Sequence, residues 1–285
     1  MKRKGESPSE QGGAATFYRS LRCDLTGSSM KTVQELFDLT GKSALVTGGA
    51  GHLGSAIARA LAEAGAGVAV ASRNLDNCRA VAAELGPKAL ALRMDMGDEG
   101  SVRGTIDAVA AHFGRLDVLV NCAYNGPRPD LEQATGADFD EALHLTVTTY
   151  FVASQQAARQ MRRIGGGSII QIASIFGFVS SDPAVVNSPP TYHAGKGGLV
   201  HLTRYMAVYW APDRIRVNCI SPGPFPTPAG LQERAAYYEG MRQRAPLKRL
   251  GMAWEIKGAA LFLASEASSF VTGHNLVLDG GWTAW

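Results

Sequence analysis

Cysteine is scarce: Cys23, Cys78, Cys122 and Cys219 are the four in 285 residues, and no two form a CxxC pair. That spacing argues against a disulfide framework or a thiolate zinc site and fits reduced thiols in a cytoplasmic protein. No run of about 18 apolar residues occurs, so no transmembrane helix is expected. The histidines (His52, His112, His144, His193, His201, His274) show neither HxH nor HExxH spacing, and no metal site is expected. No GxSxG elbow marks a hydrolase. Excess charge is also missing. Lys and Arg number 28 against 25 Asp and Glu, a net +3 that points to neither nucleic acid nor an anionic membrane. A small-molecule partner is the expectation that survives.

What is present is ordinary globular material, 46% hydrophobic and 19% charged, enough to bury a sizeable core. Residues 1–29 differ from the rest: Ser, Gly, Gln and charge, without apolar periodicity. Lys2, Arg3 and Lys4 are followed by no apolar stretch, so this segment reads as a disordered extension rather than a signal peptide, with Met30 a candidate start of the organised chain. Residues 30–285 then read as one domain. Strands are expected at Ser43–Thr47, Val68–Ala71, Ala89–Arg93, Asp117–Asn121, Ser168–Ile172, Ile215–Ile220 and Asn275–Leu278. Helices are expected at Leu53–Ala64, Leu75–Leu85, Glu99–Phe113, Phe139–Arg163, Tyr192–Tyr209 and Trp254–Ala264. Nearly continuous Val, Ile, Leu and Ala strands alternating with helices predict a doubly wound α/β parallel sheet, Rossmann-like in layout.

The first strand runs into Gly48-Gly49-Ala50-Gly51-His52-Leu53-Gly54 and then a helix. Strand, glycine turn and helix in that order suit a dinucleotide pyrophosphate: the backbone can approach the phosphates, and helix N-terminal N–H groups face negative charge. The second strand ends in Ser72-Arg73-Asn74, a hydroxyl and a cation where NAD sites often carry a ribose-binding carboxylate. This favours NADP(H) over NAD(H), the alternative being that Arg73 is a solvated loop charge. Asp95, beside Met96, either accepts from the adenine amino group or caps a loop. Asn121 and Ala123 close the fourth strand at the ligand-binding edge.

Tyr192 and Lys196 lie i,i+4 on a predicted helix and project from one face. A phenol near pKa 10 is a poor base at neutral pH, and an adjacent ammonium would favour its phenolate. Ser174, at a strand end, can hold a carbonyl beside that phenol. The cluster Arg242, Arg244, Lys248 and Arg249 is read as a solvated face, with an anionic-substrate site as the alternative.

Over residues 39–285 the chain resembles the short-chain dehydrogenase/reductase family, through TGGAGHLG, NCA after strand four, IASIFG, YHAGK, RVNCISPGP and the terminal DGGW. The resemblance implies a general acid/base role for Tyr192, a ribose-contacting and tyrosine-tuning role for Lys196, and substrate orientation by Ser174. It implies that Asn218, Pro222 and Gly223 flank the nicotinamide. It also implies a homotetramer, with Trp254–Leu278 and Trp282–Trp285 packed across a two-fold axis. The sequence departs from the family at His52, at Tyr124 (a glycine is expected), at Thr146 (an asparagine of the proton relay is expected) and in the added stretch 181–190. Thr146 is expected to take part in the relay through its hydroxyl, His144 being an alternative route. The implied activity is interconversion of a ketone and a secondary alcohol by hydride transfer, in the manner of 3-oxoacyl-thioester reductases or of polyol and sugar-acid dehydrogenases of the gluconate 5-dehydrogenase type. The rival reading is a catalytically silent dinucleotide-binding sensor or partner module.

Overall fold

The computed structural model describes residues 30–285 except 181 and 185, so the reading of residues 1–29, Cys23 included, lies outside the described residues. A short helix α1 (Val33–Phe37) buries none of its side chains; Thr32 and Glu35 cap it reciprocally. The compact unit begins at Phe37.

Its centre is a seven-stranded sheet, β1 (Ser43–Thr47), β2 (Gly67–Ser72), β3 (Ala89–Arg93), β4 (Val118–Asn121), β5 (Gly167–Ile172), β6 (Ile215–Pro222) and β7 (Asn275–Leu278). The spatial order is β3-β2-β1-β4-β5-β6-β7, and every pairing is parallel. Period-two alternation splits each strand between two cores. Leu45, Leu119, Ile169 and Val217 face α4 (Glu99–Phe113), α6 (Thr149–Arg163) and α7 (Pro190–Trp210). Val46, Val70, Val120 and Ile170 face α2 (His52–Glu63), α3 (Leu75–Leu85) and α10 (Ile256–Ala264). The doubly wound sheet expected from the strand pattern is the architecture found.

The strand order reverses at β1 and β4, which places the loops after these strands side by side. Thr47 Oγ1 accepts from the backbone N–H groups of Cys122 (3.0 Å) and Ala123 (3.3 Å), tying the two loops together. This is the switch point at which open α/β sheets bind ligands.

Three elements differ from the sequence reading. The expected helix Phe139–Arg163 is two helices, α5 (Gly136–Leu143) and α6, joined by a π-helical turn at His144–Thr148. A Thr135–Asp138 capping box starts α5 earlier than expected. The run TVTT then disturbs the helical ladder: Thr146 Oγ1 donates to the Ala142 carbonyl at 2.6 Å, and Thr149 Oγ1 to that of His144 at 2.7 Å. Two helices after β6 were not anticipated, α8 (Pro228–Glu233) and α9 (Ala235–Arg244). The latter buries only Met241 within its span, so it carries almost no apolar stripe to read. Finally, Trp254 belongs to a 3₁₀ turn ahead of α10, held where Glu255 accepts from the Met252 N–H at 2.8 Å.

A third, smaller core of Ile175, Phe176, Val186, Met241, Ala245 and Trp282 fastens α9 beside the carboxyl edge of β5. Trp282, expected at a subunit interface, is 7% exposed and packs edge-on against Phe176 within its own chain. Trp285 is 81% exposed.

Candidate active site

A cleft of about 1070 Å³ runs along the carboxyl edge of the sheet from Arg73 to Tyr238. Its floor at the switch point is the glycine turn. Gly48 has φ +65°, and a Cβ there would lie 2.7 Å from Ala123 Cα; one on Gly54 would lie 2.2 Å from the Gly48 carbonyl oxygen. Only glycine permits this approach. Gly51 caps α2 without a side-chain hydrogen bond, leaving the first-turn N–H groups facing the cleft. The turn therefore fits a pyrophosphate. Gly48, Gly51, His52, Leu53 and Gly54 line the cleft. Gly49, expected with them, does not: it backs onto β1, where a Cβ would meet the Val46 carbonyl oxygen at 2.8 Å. Burial lowers the pKa of the His52 imidazole, favouring its neutral form.

At the other end, Ser72, Arg73 and Asn74 line the wall. Ser72 Oγ donates to the Asn74 carbonyl at 3.1 Å, and Asn74 Oδ1 accepts from the Asn77 N–H at 3.1 Å to cap α3. Arg73 is exposed, and among the described residues no carboxylate pairs with it. Asp95 and Met96 also line the cleft, Asp95 Oδ1 accepting from the Gly97 N–H at 2.9 Å in the loop-capping role.

The chemical end is built by β5 and α7. Ser174 follows β5, is 5% exposed and lies beside the Tyr192 phenol, whose pKa it lowers. Lys196, one helical turn after Tyr192, is 3% exposed and donates to the Ile172 carbonyl at 2.7 Å. The charge relation differs from the sequence expectation. Burial raises the Tyr192 pKa, with Ser174 lowering it less, and Lys196 is not among the groups that pull it down. Burial brings Lys196 itself down to about 8. What surrounds its ammonium is aromatic: the rings of Tyr124, Tyr150 and Tyr192 have centroids 5.3, 5.4 and 5.7 Å from Nζ. Each face offers a cation–π contact. Tyr150, fully buried, is fixed by donating to the Ala123 carbonyl at 2.9 Å. No sequence motif marks Tyr150, although it lies i,i+4 from Thr146. Cys122 is raised to about 11 and Cys219 to about 12 by burial, so both thiols beside Lys196 stay protonated.

Several expected residues serve the scaffold instead. Asn121 is fully buried beneath the cleft, its Nδ2 donating to Gln171 Oε1 at 3.0 Å and Ser154 Oγ at 3.3 Å. Asn218 bridges β6 to the segment before β7, donating to Val271 O and accepting from the His274 N–H, both at 2.9 Å. Pro222 and Gly223 do line the cleft, as does Ala123. Thr146 does not: its hydroxyl is engaged by Ala142, and the residue packs behind Gly195, where a Cβ would be 3.0 Å from Oγ1. No hydrogen bond joins it to Lys196. The His144 ring lies 3.4 Å from the Gly97 carbonyl, away from Lys196's own hydrogen bond. The three arginines of the basic cluster are ion-paired, Arg242 with Glu239 at 2.6 Å, Arg249 with Glu255 at 2.7 Å and Arg244 with Asp182 at 3.9 Å, while Lys248 Nζ donates to the Gln243 carbonyl.

A family model described as enoyl-(acyl carrier protein) reductase matches residues 48–283. The chain belongs to the short-chain dehydrogenase/reductase family. It is 37% identical to D-threitol dehydrogenase of Mycolicibacterium smegmatis, over 89% of this chain and 99% of that one. A short-chain dehydrogenase/reductase from Mycobacterium marinum superposes with a TM-score of 0.84 at 39% identity, covering 89% and 100% of the two chains. A gluconate 5-dehydrogenase from Burkholderia cenocepacia, solved with NADP and tartrate, gives 0.82 at 34% identity, with 89% and 100% covered. Family membership makes this chain an oxidoreductase acting on alcohol groups, with a nicotinamide dinucleotide as cofactor.

Proposed function

We propose an NADP(H)-dependent oxidoreductase that interconverts a ketone and a secondary alcohol, with Tyr192 as general acid and base. The observation that carries the reading is that Ser174, Tyr192 and, one turn on, Lys196 all open into the cleft floored by the glycine turn. NADP(H), when bound, supplies or accepts the hydride. Gly48, Gly51, His52, Leu53 and Gly54 would hold its pyrophosphate, Ser72, Arg73 and Asn74 its ribose phosphate, Asp95 and Met96 its adenine, and Ala123, Pro222 and Gly223 its nicotinamide end. Ser174 orients the substrate oxygen against the phenol. In reduction the Tyr192 phenol, kept protonated by burial, gives its proton to that oxygen; in oxidation the phenolate takes it back. Tyr192 lies in the first turn of α7, where the helix dipole supports the transient negative charge. Lys196 adds the positive charge of its ammonium.

Tyr192→Phe should cost at least the factor of about 10²–10⁴ typical of a proton-transfer group, with NADPH still bound in a fluorescence titration. Wild type that binds NADPH yet turns over no ketone or alcohol in a broad panel would favour the silent-module reading instead. Arg73→Asp should reduce kcat/KM for NADP(H) far more than for NAD(H), because repulsion replaces a charge-assisted hydrogen bond. Equal wild-type kcat/KM for the two cofactors would refute the preference.

The same reading takes residues 30–285 as the catalytic domain, with residues 1–29 as an extension, in a cytoplasmic homotetramer. Among the described residues no helix is long and apolar enough to cross a membrane.

A further inference from the structure

Beyond Tyr192 the cleft continues into a basin lined by the loop after β4, the segment leading into α7, Thr227, and Arg234 with helix α9. Two guanidinium groups line it, Arg128 and Arg234. Unlike the arginines of the neighbouring surface cluster, neither is paired with a carboxylate among the described residues. Arg234 sits over Tyr237, Cζ 3.9 Å from the ring centroid, and this cation–π contact leaves its N–H groups available to an anion. Arg128 is close enough for its charge to favour the phenolates of Tyr124, Tyr192 and Tyr237. Tyr237 feels both guanidiniums, whereas the reacting phenol of Tyr192 feels Arg128. The single carboxylate on this wall, Asp130, is held by Asn187 Nδ2 at 2.7 Å.

We propose that this basin is an anion subsite and that the substrate is a hydroxy- or oxo-carboxylic acid, its carboxylate held by Arg128 and Arg234 while its carbinol or keto carbon faces Ser174 and Tyr192. The assignment rests on the oxidoreductase reading. The carboxylate is a handle and is unchanged by the reaction. In oxidation the carbinol C–H leaves with its electron pair as hydride to the oxidised nicotinamide cofactor, the O–H proton goes to Tyr192, and the ketone remains. Recognition is thereby tied to charge: fork-like guanidinium pairing selects an acid over a polyol of equal length.

The test compares aldonic and uronic acids with alditols of the same chain length, using wild type, Arg128→Gln, Arg234→Gln and each Arg→Lys variant, with Arg242→Gln as a surface control. Wild type should show higher kcat/KM for the acids, falling with added salt. Each Gln variant should raise KM for the acid by about 10- to 100-fold, well beyond any change for the alditol, with kcat for the acid little altered and partial recovery in the Lys variant. Calorimetry of glutarate binding to the NADP⁺-saturated protein supplies a readout free of turnover: binding should be present in wild type and Arg242→Gln, and weakened by a similar factor in the two Gln variants. Alditols handled as well as acids, together with no glutarate binding, would overturn the subsite and leave the oxidoreductase standing. Absence of turnover across the whole panel would instead sink the oxidoreductase reading, and glutarate binding lost in the Gln variants would still uphold the subsite.

Discussion

Lys196 is the residue whose surroundings say most about the site. Its amine is buried, donates one hydrogen bond to the Ile172 carbonyl, and otherwise meets three tyrosine rings. With its pKa brought down to about 8, the ammonium is held below that pH and lost above it. For ketone reduction, kcat/KM, which reports the free enzyme, is therefore expected to decline as pH rises through about 8. Tyr124→Leu withdraws one aromatic face, worth about 0.5–2 kcal/mol to a cation. At about 1.4 kcal/mol per pH unit, the descending limb should move down by roughly 0.4–1.5 units. Tyr124→Phe keeps the face and should leave the limb in place. A limb unmoved in Tyr124→Leu would show that the ring gives the ammonium no support. Ser174, Tyr192 and Lys196 are legible in the sequence because a strand end and an i,i+4 pair place them with local rules alone. Tyr150, Arg128 and Arg234 are not legible, since their approach to the cleft depends on a π turn, an irregular loop and a helix without an apolar stripe.

Among the elements, the π turn at His144–Thr148 is the one that sequence periodicity hid, because α5 and α6 each carry helical spacing and only the turn between them breaks phase. Thr146 within it and Thr149 just after it donate their hydroxyls to the Ala142 and His144 carbonyls. A proton relay through the Thr146 hydroxyl would have to break that bond first. Thr146→Val, which keeps the shape, should leave kcat within about twofold of wild type, far less than the 10²–10⁴ of an acid–base group. The variant should also melt a few degrees lower for the loss of one buried hydrogen bond, worth about 1 kcal/mol. A hundredfold drop in kcat with unchanged melting temperature would return Thr146 to the relay. The other elements that position the site, β1 with its glycine turn and β5 with α7, were legible to within two residues at their ends, because continuous β-branched strands and glycine punctuation leave few alternatives.

At the scale of the whole molecule, large apolar side chains are exposed in more than one place among the described residues. Tyr205, Val208 and Tyr209 on α7 are 64%, 78% and 63% exposed; Trp254 and Phe270, near the β7 edge of the sheet, are 64% and 104% exposed. A tetramer with three two-fold axes needs at least two different self-complementary contacts, and two such patches meet that need. Light scattering should find a tetramer in wild type and a dimer in Val208→Asp/Tyr209→Asp, whose second patch is intact. A wild-type monomer at micromolar concentration would contradict the assembly.

The reversal of strand order at β1 also divides the chain's inheritance. The wall assigned to the ribose phosphate lies on β2 and the start of α3, within residues 67–77, whereas the proton-transfer trio and the basin arginines all come after residue 120. The two stretches lie on opposite sides of the switch point, where Thr47 ties the loop after β1 to the loop after β4. A recombination that exchanged residues 67–98 with those of a relative would carry over cofactor choice as one block and leave substrate choice with the recipient. A lineage built on this plan can therefore change its reductant without relearning its substrate.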